Sequence, residues 1–232
     1  MIKKIWYKIK SIKIIGETYE KLIGNKKVKY IQESHKNDIK INGKRYISLV
    51  ENALKDSGAI YYVCSGTLLG LIREGKFIDW DFDIDYAVVM TDDFTFNELE
   101  KILVSNGFKK TREFKLDGEL TEQSYAIGKL NIDFFAHFRE ENYMRDYFYV
   151  YIEGETYENP NQRTPYIRIL PLVNEIKKIK FDDVEVSVPS NSEELLEAMY
   201  NEDWFVPNPN WKIGDGKKSK IIKGKFGEYK EY

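Results

Sequence analysis

Asp79-Trp80-Asp81-Phe82-Asp83-Ile84-Asp85-Tyr86 places a carboxylate at every second position. In an extended chain residues two apart share a face, so Asp81, Asp83 and Asp85 point one way and Phe82, Ile84 and Tyr86 the other. Successive acids on such a face lie about 6.5 to 7 Å apart along the strand, and side chains of that reach can converge on one small hard cation. Strands are depleted in aspartate and like charges on one face repel, so a merely solvated acidic face is the weaker explanation. Magnesium takes one or two protein carboxylates together with phosphate oxygens and water, which makes two of the three sufficient.

Asp133 adds a carboxylate from a second segment, Leu130-Asn131-Ile132-Asp133-Phe134-Phe135. In so apolar a run it carries a large desolvation cost unless a cation or hydrogen bonds meet it. A metal site built from two adjacent strands accounts for it, with Asp133 holding a cation or taking a proton from an attacking hydroxyl. His137 falls on the same strand face four residues on, and a hydrogen-bonded structural histidine explains it equally well.

Upstream, Ser65-Gly66-Thr67-Leu68-Leu69-Gly70 sets small residues between a strand and a helical turn, where free backbone N–H groups can hold phosphate oxygens. Arg73 and Lys76 follow as cations. Gly70 to Lys76 also matches the spacing of a P-loop up to its lysine. Phe77 then stands where that motif needs a hydroxyl, and the glycines follow the short helix, so the P-loop reading is rejected. Tyr147, Tyr149 and Tyr151 share a strand face that could cage a quaternary ammonium, although one face of an amphipathic strand is the simpler account.

The elements that must position these residues are legible from periodicity and turn chemistry. A helix is expected over Lys44 to Asp56, with Gly58 as its stop, then a buried strand over Ala59 to Val63 and a helical turn carrying Leu68 to Ile72. Asp83 to Val89 is the next strand, and Thr91 is expected to cap a helix bearing Phe96, Leu99, Ile102 and Leu103. Strands follow at Phe108 to Lys115, Gln123 to Ile127, Leu130 to Phe138 and Tyr147 to Ile152. A hairpin pivots at Asp182-Asp183, and Asn191 with Glu194 opens a last helix. The tail from Lys217 to Tyr232 is expected to be loosely ordered. This order is α+β, an antiparallel or mixed sheet with flanking helices.

The composition narrows the rest. A chain of 232 residues, 42% hydrophobic, can bury a substantial core, and 36 basic against 38 acidic side chains give no reason to expect a nucleic-acid partner. The single cysteine, Cys64, excludes an internal disulfide and suits a reducing cytoplasm; with two histidines it leaves no ligand set for structural zinc. Cys64 itself is most simply a small buried residue. The longest uncharged stretch, Ser57 to Ile72, is too short to span a bilayer. Residues 1–30 hold nine lysines against two acids, a balance of +7 that leaves −9 over the rest. With Ile2, Ile5, Trp6, Ile9 and Ile12 at helical spacing, this segment suits either peripheral contact with the inner face of the cytoplasmic membrane or docking on the domain formed by residues 31–232.

Taken together, Gly66-Thr67-Leu68-Leu69-Gly70, Arg73, Phe77-Ile78 and Trp80-Asp81-Phe82-Asp83-Ile84-Asp85 resemble the LicD-type phosphotransferases, a group that includes phosphocholine and fukutin-related ribitol-phosphate transferases. The resemblance is specific over residues 62–89. It continues through Ile132-Asp133-Phe134, Val188-Pro189, Leu195-Leu196, Tyr200, Asp203-Trp204 and Pro207. It implies a nucleotidyltransferase fold, magnesium or manganese, and transfer of a phospho-alcohol from a CDP-linked donor to a hydroxyl of a surface or lipid-linked glycan, with release of CMP. Asp79 stands where many members have proline, and Phe82 where many have another aspartate. The family's metal pair aligns with Asp83 and Asp85, Asp133 matches its third acid, and spacing from the glycine also allows Asp81 with Asp83. By the same resemblance Ser65, Gly66, Thr67, Arg73 and Lys76 bind the donor, and Asp81 or Asp133 removes the proton. A different metal-dependent nucleotidyltransferase, an Asp-x-Asp glycosyltransferase and a non-catalytic glycan-binding module are the competing functions.

Overall fold

A computed structural model describes residues 13–212 and 214–232, with side chains from Tyr30 onward. The apolar stripe Ile2 to Ile12 lies outside the described residues. Helix α1 runs from Lys13 to Leu54, much longer than the expected Lys44 to Asp56. Its buried positions Ile39, Tyr46, Ile47, Val50 and Leu54 recur at helical spacing and fix its C-terminal half to the core. Gly16 and Gly24, poor helix formers, interrupt its upstream part and hide that part's helicity from a sequence reading.

Strand β1 (Tyr61–Val63) pairs antiparallel with β2 (Ile84–Met90), and β2 pairs parallel with β5 (Leu130–Arg139). Between β1 and β2, α2 (Ser65–Glu74) packs back on β2 and ends at Gly75, whose φ of 66° forms a left-handed cap. Gly70 sits mid-helix where a Cβ would meet Lys76 O at 2.6 Å, so this glycine serves close packing of helix on loop. Helix α3 (Phe96–Ser105) is capped by Thr95 with Glu98 in a capping box. Thr91, the expected cap, instead accepts the Phe94 N–H four residues before the box.

The far edge of β5 is shared: β4 (Glu119–Ile127) pairs along Leu130 to Phe135, and β6 (Met144–Val150) pairs at Phe138 and Arg139. From β4 the sheet continues through β3 (Lys109–Leu116), β11 (Gly227–Glu231) and β7 (Gln162–Leu170), which pairs with β6. Six strands thereby close into a barrel-like ring. The tail expected to be loosely ordered forms β10 (Ser219–Ile221) on β7 and β11 between β3 and β7. Strand β11 satisfies the backbone edges that β3 and β7 would otherwise expose, a non-local gain that the basic, glycine-containing tail does not announce in its sequence.

The hairpin of β8 (Ile176–Phe181) and β9 (Val184–Pro189) turns at Asp182 as expected and packs against α1 and β1. Glu51 of α1 pins it, accepting Ser187 N–H and Oγ–H at 2.8 Å and Tyr61 O–H at 3.0 Å. Helix α4 (Ser192–Tyr200) follows Asn191 and packs against α2, β7 and β9. Tyr62, Tyr86, Phe134, Leu99 and Ile47 lie in the buried core beneath α1, α3 and the β1–β2–β5 face.

Candidate active site

The parallel register of β2 and β5 sets Asp85 directly opposite Asp133. Asp81 and Asp83 lie just before β2, in the segment that leaves a turn where Asp81 N–H donates to Ile78 O. Ile84 and Tyr86 point into the core, as alternation requires, which leaves the acids on the other face. One carboxylate oxygen each from Asp83, Asp85 and Asp133 lies within 4.8 Å of the others. Asp81 lies at the edge of this cluster, lining the same cleft as Asp83 and Asp85.

The group is strongly destabilised as it stands. Burial and then the neighbouring carboxylates push Asp83 and Asp85 well above the usual carboxylate range, and burial pushes Asp81 up to about 6. Asp133 Oδ1 and Asp81 Oδ2 are buried without a hydrogen-bond partner. Converging, desolvated, all-oxygen donors with unused lone pairs fit a hard divalent cation of the magnesium or manganese type.

These acids open into a cleft of about 420 Å³. Beside them, Arg112 of β3 donates to Glu122 of β4 at 2.8 Å and reaches Asp133 at 3.5 Å. Burial raises Glu122 to about 7 against the pull of Arg112. Arg168 of β7 also lines the cleft, anchored through Nε to Asp146 at 2.9 Å. Arg112, Glu122 and Arg168 are the site residues that sequence reasoning missed. Thr121-Glu122-Gln123-Ser124 is a buried polar run within a strand, and buried polar groups need a reason, but that burial is visible only in the structure.

The expected phosphate-binding residues separate in space. Ser65 and Gly66 reach the cleft at the N-terminus of α2, where Ser65 adopts a left-handed φ of 47°. Thr67 is fully buried and its Oγ1 accepts the Asp85 N–H at 3.0 Å, so it braces β2 and does not face the cleft. Arg73 lines a neighbouring pocket, paired with Glu74 and donating to Trp204 O at 3.3 Å. Lys76 is exposed, bound to Asp79 at 3.1 Å, in a groove on the other side of the loop.

The tyrosine cage does not form. Tyr149 stacks on Phe114 at 4.5 Å, Tyr151 on Tyr157 at 5.3 Å, and Tyr147 accepts from Arg145. His137 is buried between Tyr62, at 2.7 Å from Nδ1, and Asp146, at 3.3 Å from Nε2. Cys64 is fully buried, and burial raises its thiol well above the ordinary value.

A Cβ on Gly66 would fall 2.7 Å from Asp81 Oδ2. Gly66→Ala is therefore expected to turn the Asp81 carboxylate away from the cluster while leaving the fold intact. We expect turnover to fall about 100-fold, the scale of misplacing one active-site group, with Tm almost unchanged. Loss of Tm in step with activity would instead make Gly66 a folding residue.

A helix N-terminus lies beside three clustered carboxylates that could hold a metal ion, at the head of a parallel strand pair, with two arginines lining the same cleft. The sequence profile described as LicD/FKTN/FKRP, nucleotidyltransferase domain, matches residues 58–191, and the chain belongs to that family. It is 26% identical over 172 residues to an uncharacterized protein of Rickettsia typhi, covering 70% of this chain and 48% of that protein. It is 23% identical over 171 residues to the mouse (Mus musculus) and human (Homo sapiens) ribitol-5-phosphate transferase FKTN, covering 72% and 73% of this chain respectively and 34% of each relative. The chain thus spans half or less of the length of these relatives. No helix among the described residues is long and apolar enough to cross a membrane.

Proposed function

We propose that the chain transfers a phospho-alcohol from a CDP-linked donor to a sugar hydroxyl of a glycan or lipid-linked glycan, releasing CMP. The observation that carries this reading is the convergence of Asp83, Asp85 and Asp133 beside the N-terminus of α2, in a family whose FKTN relatives are ribitol-5-phosphate transferases. We read the architecture as a nucleotidyltransferase-like mixed sheet whose catalytic domain spans residues 31–232.

Asp83, Asp85 and Asp133 hold the cation in this reading. A divalent cation held there would neutralise charge on the donor diphosphate. Ser65 and Gly66 present backbone N–H groups to the phosphate oxygens, and Arg112 and Arg168, which line the same cleft, supply positive charge. The acceptor oxygen forms a bond to the phosphorus bearing the alcohol as that phosphorus loses its bridging oxygen to CMP. Asp81, at the edge of the cluster, takes the hydroxyl proton. Thr67 acts indirectly, by fixing the backbone of Asp85, and Arg73 and Lys76 lie too far round the loop to hold the same phosphates.

A thermal-shift titration with CDP-choline, CDP-ethanolamine, CDP-ribitol, UDP-sugars and ATP, each with and without magnesium, tests the donor. Ligand saturating the folded state a hundredfold above its Kd adds about 2.7 kcal/mol, an easily read shift. A magnesium-dependent shift with one CDP-alcohol is expected. Response to UDP-sugars or ATP alone would assign the acidic site to a different transferase.

A further inference from the structure

Three of the chain's four tryptophans, Trp80, Trp204 and Trp211, line one pocket of about 200 Å³ beside the carboxylate cleft. The pocket and the cleft meet at Gly66, Asp81, Tyr200 and Trp211, which line both. Trp80 stands one residue before Asp81, while Trp204 and Trp211 come from the loop after α4, so segments distant in sequence supply the walls. Tryptophan is costly to expose, yet Trp80 is 42% exposed and Phe205 and Val206 beside Trp204 are more so. Arg73, Asp81, Asp203, Asn208 and the Tyr200 hydroxyl supply its polar side-chain groups.

Flat aromatic faces with a set of hydrogen-bonding groups suit a ligand that has an apolar face and a polar edge. A pyranose ring is such a ligand, with C–H groups to lay on indole and hydroxyls for a carboxylate and an amide. A phosphate or diphosphate is not, because Asp81 and Asp203 face the same space and Arg73 is engaged with Glu74 and Trp204 O. The larger cleft, with Arg112, Arg168 and the carboxylate cluster, already has the features a charged donor needs.

We propose that the tryptophan pocket is the acceptor subsite and takes a single pyranose ring, bringing one ring hydroxyl to the mouth of the carboxylate cleft at Asp81. This rests on the transferase reading above and adds which residues select the acceptor. Trp80 and Trp204, which line the pocket and not the cleft, are its specificity-determining side chains.

The tryptophans themselves report the test. The full chain is titrated with methyl glycosides of glucose, galactose, mannose, N-acetylglucosamine and N-acetylgalactosamine while tryptophan emission is followed. CMP with magnesium is titrated separately by calorimetry. At least one glycoside is expected to change the emission saturably, with or without CMP present. Trp80→Ala and Trp204→Ala should each weaken that binding about tenfold or more and leave CMP affinity within about twofold. Trp80 is exposed enough to remove without unfolding, and Trp204→Ala keeps the backbone carbonyl that Arg73 uses. A tenfold loss of CMP affinity in either variant would give the pocket to the nucleobase and overturn the proposal. So would displacement of the glycoside by CMP, or silence across the whole panel. If glycosides bind as expected while wild-type chain ignores CMP with magnesium, the failure lies in the transferase reading and the sugar pocket stands.

Discussion

Asp85→Asn is expected to abolish transfer, lowering kcat by about 10³-fold or more, while making the metal-free protein more stable. Both effects follow from the same crowding. Asp85 lies opposite Asp133 across a parallel strand pair, and their oxygens fall with that of Asp83 inside a 4.8 Å span. Removing one charge-bearing ligand costs the differential stabilisation of a phosphoryl-transfer transition state, several kcal/mol in such sites. Without a cation the same charge is a liability: burial and the neighbouring carboxylates oppose its ionisation. Asparagine keeps the shape and removes the repulsion, so Tm in chelator should rise. Magnesium, expected to raise Tm in the wild type, should no longer do so in the variant. Activity measured with donor and magnesium, alongside melting in chelator and in magnesium, checks all three expectations. A variant that melts lower in chelator would mean that the cluster is held by hydrogen bonds and not poised for a cation.

The second large effect lies beneath the cleft. Asp146→Asn is expected to destabilise the fold by about 3–5 kcal/mol, because it leaves the buried guanidinium of Arg168 without its counter-charge. Asp146 is fully buried, accepts from Arg168 through both Nε and Nη2, and lies 3.3 Å from His137 Nε2. Burial opposes its ionisation, but Arg168 and His137 outweigh burial and hold the carboxyl well below its usual range. A depressed folded pKa stabilises above the unfolded value, near pH 4, and that contribution drains away as pH falls toward the folded value. Urea titrations should therefore show a wide gap between wild type and Asp146→Asn at pH 7 and a narrower one at pH 3. The double variant Asp146→Leu/Arg168→Met, which removes both charges, should recover part of the loss at pH 7. A gap that does not change with pH would assign the cost to packing alone.

Local patterns already carried much of this protein. Alternation placed Asp81, Asp83 and Asp85 on one face because strand geometry has a period of two, and Asp133 stood out because a carboxylate among large apolar residues demands a partner. The α+β order, the turn at Asp182 and the helix after Asn191 were legible for the same reason: each depends on neighbours a few residues away. Thr67 looked like a phosphate ligand because type and spacing cannot tell a hydroxyl turned inward, onto the Asp85 N–H, from one turned toward the cleft. Arg112, Glu122 and Arg168 sit on three different strands, and only the pairing of β3 with β4, β4 with β5 and β7 with β6 turns them toward the acids. The same holds for the tail, which becomes a strand because β3 and β7 leave an edge for it, and for Trp80, Trp204 and Trp211, gathered from segments more than a hundred residues apart in sequence. Side-chain types and short spacings are properties of the chain, so they announce a carboxylate site; which wall faces that site depends on long-range strand register, and this is decided only when the whole apolar core is buried at once.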